Sequence, residues 1–292
     1  MTTIAQPSAA GRTRGVLLVA CSGVLFSTLG IGVRLMEHAS AYQIVFYRGL
    51  FQAAVVAALV LHRSGGQLRV PFARMGWPGL VAAFALAVAY NGMVVALTLS
   101  SVARVVFILS TAPLLAGLLA FVVLGERMRL VTFVAIALAL GGIALMHLGG
   151  GSGGRLLGTV AAVAAVCGYA VFTVALRKAR DHDMMPTIAL SGLLSALISC
   201  VAIDGFAVSA RDLVLCFYLG GIALTAGLLL FTAGARYLTA AELPLVAMTE
   251  FVLAPVWVWL FLGETVPTTT VIGGGVMLAA VLLQGITGAR DS

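Results

Sequence analysis

The chain is 292 residues long, 62% hydrophobic and only 9% charged, against about 25% charged residues in an ordinary soluble domain. Such a composition excludes a water-soluble fold, and helices of about 20 residues per bilayer crossing would use up most of the length and leave none for a soluble catalytic domain. The net charge of +7 invites a nucleic-acid reading, but the arginines stand at the ends of apolar runs and form no basic face with interleaved aromatics, so no nucleic acid is expected and they read as topology markers.

Residues 1–14 are polar and basic like a signal n-region, yet the apolar run behind them is too long for an h-region, so they are expected to be a cytoplasmic tail before an uncleaved first helix. Apolar runs follow at 15–36, 41–62, 76–99, 102–124, 131–148, 157–176, 186–204, 212–235, 241–262 and 267–288. Their breaks carry loop chemistry, as in HRSGGQLR at 62–69, LGERMR at 124–129, LGGGSGGR at 148–155 and RKARDHDMMP at 177–186. None alternates with period two, and backbone groups in lipid must be satisfied within the segment, so each run predicts a transmembrane helix rather than a barrel strand. The expected fold is an all-α integral membrane protein of ten transmembrane helices. It comprises a first five-helix repeat at 15–148, a Gly-rich linker at 149–156, a second repeat at 157–288 and a cytoplasmic tail at 289–292.

With the N-terminus in the cytoplasm, Arg12, Arg14, Arg63, Arg69, Arg74, Arg127, Arg129, Arg177, Lys178, Arg180, Arg236 and Arg290 lie inside, against Arg34, Arg48, Arg104, Arg155 and Arg211 outside. The asymmetry predicts that both termini are cytoplasmic. An odd number of helices before the linker makes the second half enter the membrane in the opposite sense to the first. Cys21, Cys167, Cys200 and Cys216 all fall in apolar segments, without CxxC spacing or a neighbouring histidine, and read as small buried apolar residues rather than metal ligands.

Displacing the sequence by 138 positions lays residues 97–127 on residues 235–265 without a gap. Ala103 meets Ala241, Thr111 meets Thr249, Leu115-Ala116 meets Leu253-Ala254, and Leu124-Gly125-Glu126 meets Leu262-Gly263-Glu264. The recurring helix-ending Gly-Glu, in register with the helix plan, carries this signal. Two five-helix halves of opposite orientation are a recurrent transporter architecture, with the site near the midplane where they meet.

These features, together with Arg48 in the second helix, resemble the drug/metabolite transporter superfamily and its ten-helix branch with two EamA-type exporter repeats. The resemblance runs from about residue 15 to residue 288 and is nearest to bacterial exporters of aromatic and other neutral amino acids. It implies two inverted repeats around a central cavity, an inner-membrane location and export of small metabolites by alternating access, with a multidrug or organic-cation exporter of the same fold as the alternative. Where the family often has Glu-Pro in the ninth helix, Glu250 is followed here by Phe251, and the proline is Pro255. Residues 243–262 hold no cation, which disfavours phosphorylated substrates, and residues 15–36 lack the first-helix carboxylate of the four-helix multidrug relatives.

The candidate substrate-binding residues are Glu250, Tyr90, Asn91, Phe26, Tyr169 and Thr111. Glu250 is the carboxylate well inside a helix, where a charge costs at least about 2.5 kcal/mol; it reads either as a site for an ammonium group or a transported proton, or as a brace. Arg48, about two turns into its helix, either snorkels to the outer interface or forms an ion pair inside the bundle. Tyr90 and Asn91 interrupt an apolar helix and either face a cavity or bond across helices, while Phe26 and Tyr169 are candidate cavity walls or packing. Glu126 and Glu264 read as hydrated turn residues, and Pro113, Pro244 and Pro255 as kinks. Small residues at 191, 195 and 199 suit close helix contact, within the chain or between chains.

Expected partners are a small-molecule substrate, the lipid bilayer and protons as a coupling ion; no cofactor or metal is expected. Gly150-Gly151-Ser152-Gly153-Gly154 matches G-x-S-x-G formally but lacks the strand before it that a nucleophile elbow needs. An intramembrane enzyme would need clustered catalytic groups, and His38, His62, His147 and His182 all stand near helix ends. No GxxxxGK[ST] loop occurs to couple ATP, so the expected class is a secondary transporter.

Overall fold

The computed structural model describes residues 9–67, 69–124, 130–148, 153–178, 185–235, 237, 246–247, 249–264 and 266–289, and among them every regular element is a helix. The first half contains α1 (Ala9–Arg34), α2 (Ala41–Arg63), a short α3 (Arg69–Arg74), α4 (Gly76–Leu99), α5 (Val102–Leu109), α6 (Ala112–Leu124) and α7 (Leu130–Leu148). The second contains α8 (Gly153–Lys178), α9 (Met185–Cys200), α10 (Ala210–Phe217) running through a π-helical turn (Tyr218–Leu224) into α11 (Thr225–Ala235), then α12 (Thr249–Leu262) and α13 (Thr268–Ala289). Glu126, Ser152, His182 and Pro244 lie outside the described residues.

Six helical stretches are long and apolar enough to cross a membrane, and four shorter apolar helices accompany them. Their outward faces are apolar: Trp77, Val122, Val214 and Phe261 are all more than 60% exposed, an arrangement that only lipid solvates at no cost. This corrects the expectation for the cysteines. Only Cys216 is buried, whereas Cys21, Cys167 and Cys200 stand on the exposed surface.

Local chemistry explains the helix starts. Ser40 caps α2 by accepting from the Gln43 N–H while the Gln43 side chain accepts from the Ser40 N–H, a reciprocal capping box. Ser101 and Ser209 cap α5 and α10 with the hydroxyl alone, accepting from the Arg104 and Asp212 N–H groups. The fourth apolar run, expected as one helix, breaks at Ser110 and Thr111, whose hydroxyls turn back to the carbonyls of Phe107 and Ile108. Pro113 then falls in the first turn of α6, where a missing N–H is harmless.

The two halves correspond helix by helix. α1 has its counterpart in α8 and α2 in α9. From the broken helix onward the sequence spacing of 138 lays α6 on α12 and α7 on α13. A hydrogen bond repeats at that spacing too, since Thr111 donates to the Ile108 carbonyl and Thr249 to the Val246 carbonyl, both at 2.7 Å.

Packing obeys the same exchange. α2 crosses α9, and α7 lies along α13; α4 packs on α8 as α11 packs on α1, and α6 touches α8 as α12 touches α1. Glycines set the closest approaches. A Cβ on Gly49 would stand 2.5 Å from the Gly192 carbonyl oxygen, and one on Gly192 would stand 2.7 Å from that of Gly49. The small residues Ser191, Ser195 and Ser199 are all buried within the chain. The core therefore sits between the halves, on the line that relates them.

Candidate functional site

Arg48 comes first, because it is the most costly residue in the interior. α2 enters from its Ser40 cap and buries one face, so that Arg48, two turns along, is 1% exposed and does not snorkel. Its guanidinium carbon lies 4.8 Å from the centre of the Tyr90 ring, a cation–π contact worth about 2 kcal/mol when desolvated. A buried ion costs several kcal/mol, so the ring offsets only part of the burden. Among the described residues, the Nε and Nη2 donors of Arg48 have no hydrogen-bond partner. Nor does it pair with Glu250, contrary to the expected ion pair inside the bundle.

Tyr90 is buried on α4 and meets Tyr169 of α8 edge to face, ring centres 6.4 Å apart and planes at 78°. That contact exists because α4 and α8 pack through glycine: a Cβ on Gly168 would stand 2.6 Å from the Ala85 carbonyl oxygen. The Tyr169 hydroxyl reaches Met93 Sδ at 3.7 Å. Gln52, one helical turn beyond Arg48, bonds both the Tyr90 hydroxyl at 3.5 Å and the Ile188 carbonyl at 3.3 Å, joining α2, α4 and α9. Nothing in the sequence singled Gln52 out, since its partners lie 38 and 136 residues away.

Glu250 occupies the first described turn of α12 and is half-buried. Gly23 of α1 lets this turn approach: a Cβ there would stand 3.3 Å from the Glu250 nitrogen and 3.2 Å from Thr249 Cβ. Among the described residues the Glu250 carboxylate has no hydrogen-bond or ion-pair partner. Phe26 joins the same apolar cluster as Tyr90, Met93 and Tyr169, with its ring lying over Gly227 of α11, where a Cβ would come within 2.5 Å.

Two candidates point elsewhere. The Asn91 amide donates to the Ala87 carbonyl and to the carbonyl and hydroxyl of Ser195, which ties α4 to α9. Thr111 is buried at the helix break with its hydroxyl on its own chain. The candidates that meet are thus Arg48, Tyr90 and Tyr169, with Phe26 in the same apolar cluster.

One rim of the bundle carries a separate polar network. Asp212, fully buried at the start of α10, accepts from the N–H groups of Glu37, His38 and Ala39 at 3.3, 3.3 and 3.1 Å. Arg211 pairs with Glu37 beside it. Glu264 does not simply face water, because Arg34 Nε lies 3.5 Å from it, while Arg34 Nη2 donates to the Ser100 carbonyl at 2.6 Å. Gly263, at φ 63°, permits the turn that presents Glu264.

Residues 243–262 hold no cation, whereas Arg48 on α2 and Arg104 on α5 are both buried in the bundle. Among the described residues, no group of three His, Cys, Asp or Glu side chains is placed to hold a metal ion.

Comparison with known proteins matches two segments, residues 13–148 and 156–285, to a family described as the EamA-like transporter family. No curated protein sequence matches the chain significantly. A solved structure described as "Crystal structure of protein" is similar over 94% of this chain and 99% of its own, with 20% identity and a TM-score of 0.65. At that identity the likeness is one of fold.

Proposed function

The chain belongs to the EamA-like transporter family, and from that premise we propose that it exports neutral and aromatic amino acids by alternating access around a central cavity between its halves. In this reading ten helices cross a bacterial inner membrane, both termini are cytoplasmic and the second half is inverted. Glu250 takes the substrate ammonium group or exchanges a proton, and Tyr90, Tyr169 and Phe26 supply faces for an apolar side chain. The observations that support the reading are the edge-to-face meeting of Tyr90 and Tyr169 from opposite halves and, on a turn of α12 packed against Gly23 of α1, a Glu250 carboxylate without a hydrogen-bond or ion-pair partner among the described residues. Aromatic faces serve apolar side chains and cations alike, and an ionisable group in the bundle interior marks a substrate or ion pathway by default.

Counterflow in proteoliposomes with a panel of labelled amino acids, organic cations and sugar phosphates tests it. Exchange of labelled phenylalanine or another neutral amino acid is the expected outcome. Saturable exchange of a sugar phosphate with none of amino acids would sink the proposal, and exchange of organic cations alone would favour the multidrug alternative.

A further inference from the structure

We propose that Arg48 is the carboxylate subsite of the transport site, so that the substrate must present a free carboxylate to its guanidinium. The inference rests on the amino acid reading above and restricts it: a free carboxylate becomes obligatory.

Three observations carry it. Nε and Nη2 of Arg48 are buried and without a hydrogen-bond partner among the described residues; they lie on one edge of the guanidinium with parallel N–H bonds, the fork that takes a carboxylate bidentately. A residue serving only to brace helices is expected to have acceptors on those donors. Arg48 instead has a ring face, although Gln52 one turn away finds a backbone carbonyl on α9.

The second observation is the asymmetry of charge within a symmetric backbone. Under the exchange of halves that pairs Gly49 with Gly192, Arg48 corresponds to Ser191, and Glu250 corresponds to Ala112, 138 residues back. The cation belongs to the first half and the acid to the second. A scaffold needs neither, since the Gly49–Gly192 contact already closes α2 on α9 and Gly23 already admits α12.

The third is placement. Tyr90 meets Arg48 on one side and Tyr169 of the opposite half on the other. The cation therefore stands at an aromatic junction between the two halves. The π-helical turn adds support for Arg48: Gly220 is pressed onto the Arg48 carbonyl, where any side chain would overlap it. α2 is thereby held at this residue from a third element.

Counterflow of labelled L-phenylalanine decides the matter, with L-phenylalanine amide (ammonium but no carboxylate) and 3-phenylpropionate (carboxylate but no ammonium) as competitors and as labelled substrates. The wild-type protein is expected to prefer phenylalanine over its amide by at least about tenfold, as loss of a bidentate charge-assisted contact implies. Arg48→Gln should raise the KM for phenylalanine by at least about tenfold and leave competition by the amide within about twofold. Arg48→Lys, which keeps charge but not the fork, should fall between them. A folded Arg48→Gln protein that retains the preference for the free carboxylate overturns the proposal. Should that variant fail to fold, the wild-type comparison stands alone: phenylalanine and its amide exchanged equally well overturns the subsite while leaving amino acid export intact. Arg48-dependent exchange of 3-phenylpropionate without any amino acid exchange keeps the subsite and overturns the amino acid reading. Exchange of amines only, or of none of the three, overturns both.

Discussion

Glu250 is the residue on which coupling turns. Glutamine at 250 keeps the shape and most hydrogen bonding of the side chain while removing its titration, so Glu250→Gln is expected to fold normally yet flatten the pH profile of phenylalanine transport. An unchanged rate and pH profile would make Glu250 a brace and the protein an uncoupled facilitator. Tyr90 offers a second test. Tyr90→Phe keeps the ring under Arg48 and should be nearly silent, whereas Tyr90→Leu removes a contact worth about 0.5–2 kcal/mol and should lower the thermal unfolding midpoint in detergent. At this scale the sequence was legible where chemistry is intrinsically conspicuous: a lone carboxylate in an apolar run announces itself without knowledge of its neighbours. Gln52 was not legible, because a polar residue in a helix becomes informative only when Tyr90 and the Ile188 carbonyl are seen beside it. The role of Arg48 was similarly hidden, since snorkelling and burial are equally compatible with its position in the chain.

Helices in this bundle meet through glycine, and that makes element packing testable. Gly192→Ala places a Cβ 2.7 Å from the Gly49 carbonyl oxygen, so it should destabilise the protein by about 1–3 kcal/mol through overpacking. Gly275→Ala meets nothing within 4 Å and should be neutral or stabilise by up to about 1 kcal/mol; thermal melts of the two variants side by side check the contrast. Asp212→Ala removes the acceptor for three backbone N–H groups of the α1–α2 connection. Increased hydrogen exchange confined to residues 37–39 is the expected outcome, and unchanged protection there would deny Asp212 a clamping role. Helix positions were readable from apolar run length, because lipid forces each run to satisfy its own backbone. The break at Ser110–Thr111 and the π-helical turn at Tyr218–Leu224 were not. Both depend on what lies opposite: hydroxyls that find a carbonyl in their own chain, and a Gly220 backbone pressed on α2.

For the whole molecule, the charge asymmetry predicts sidedness. With Cys21, Cys167, Cys200 and Cys216 replaced, a cysteine at Ser292 should be protected from impermeant reagents in intact cells, whereas one at Ser152 should be labelled from outside. Labelling at 292 would remove the plan of ten helices in two inverted halves. Of the five cations assigned to the outer side, Arg48 and Arg104 are buried. The class of the protein was determined by the sequence itself. Too few charges for water, apolar runs of membrane length and a Gly-Glu ending repeated at 138 residues are one-dimensional facts, and the solvent and the repeat follow from them directly. Which residues face one another was decided only by the tertiary structure. Arg48, Tyr90 and Tyr169 come from α2, α4 and α8 and meet in that order, and Glu250 of α12 approaches Gly23 of α1 from the far end of the chain. Local pattern cannot encode such contacts, because they depend on how closely glycine-lined helices approach and on which face each one buries.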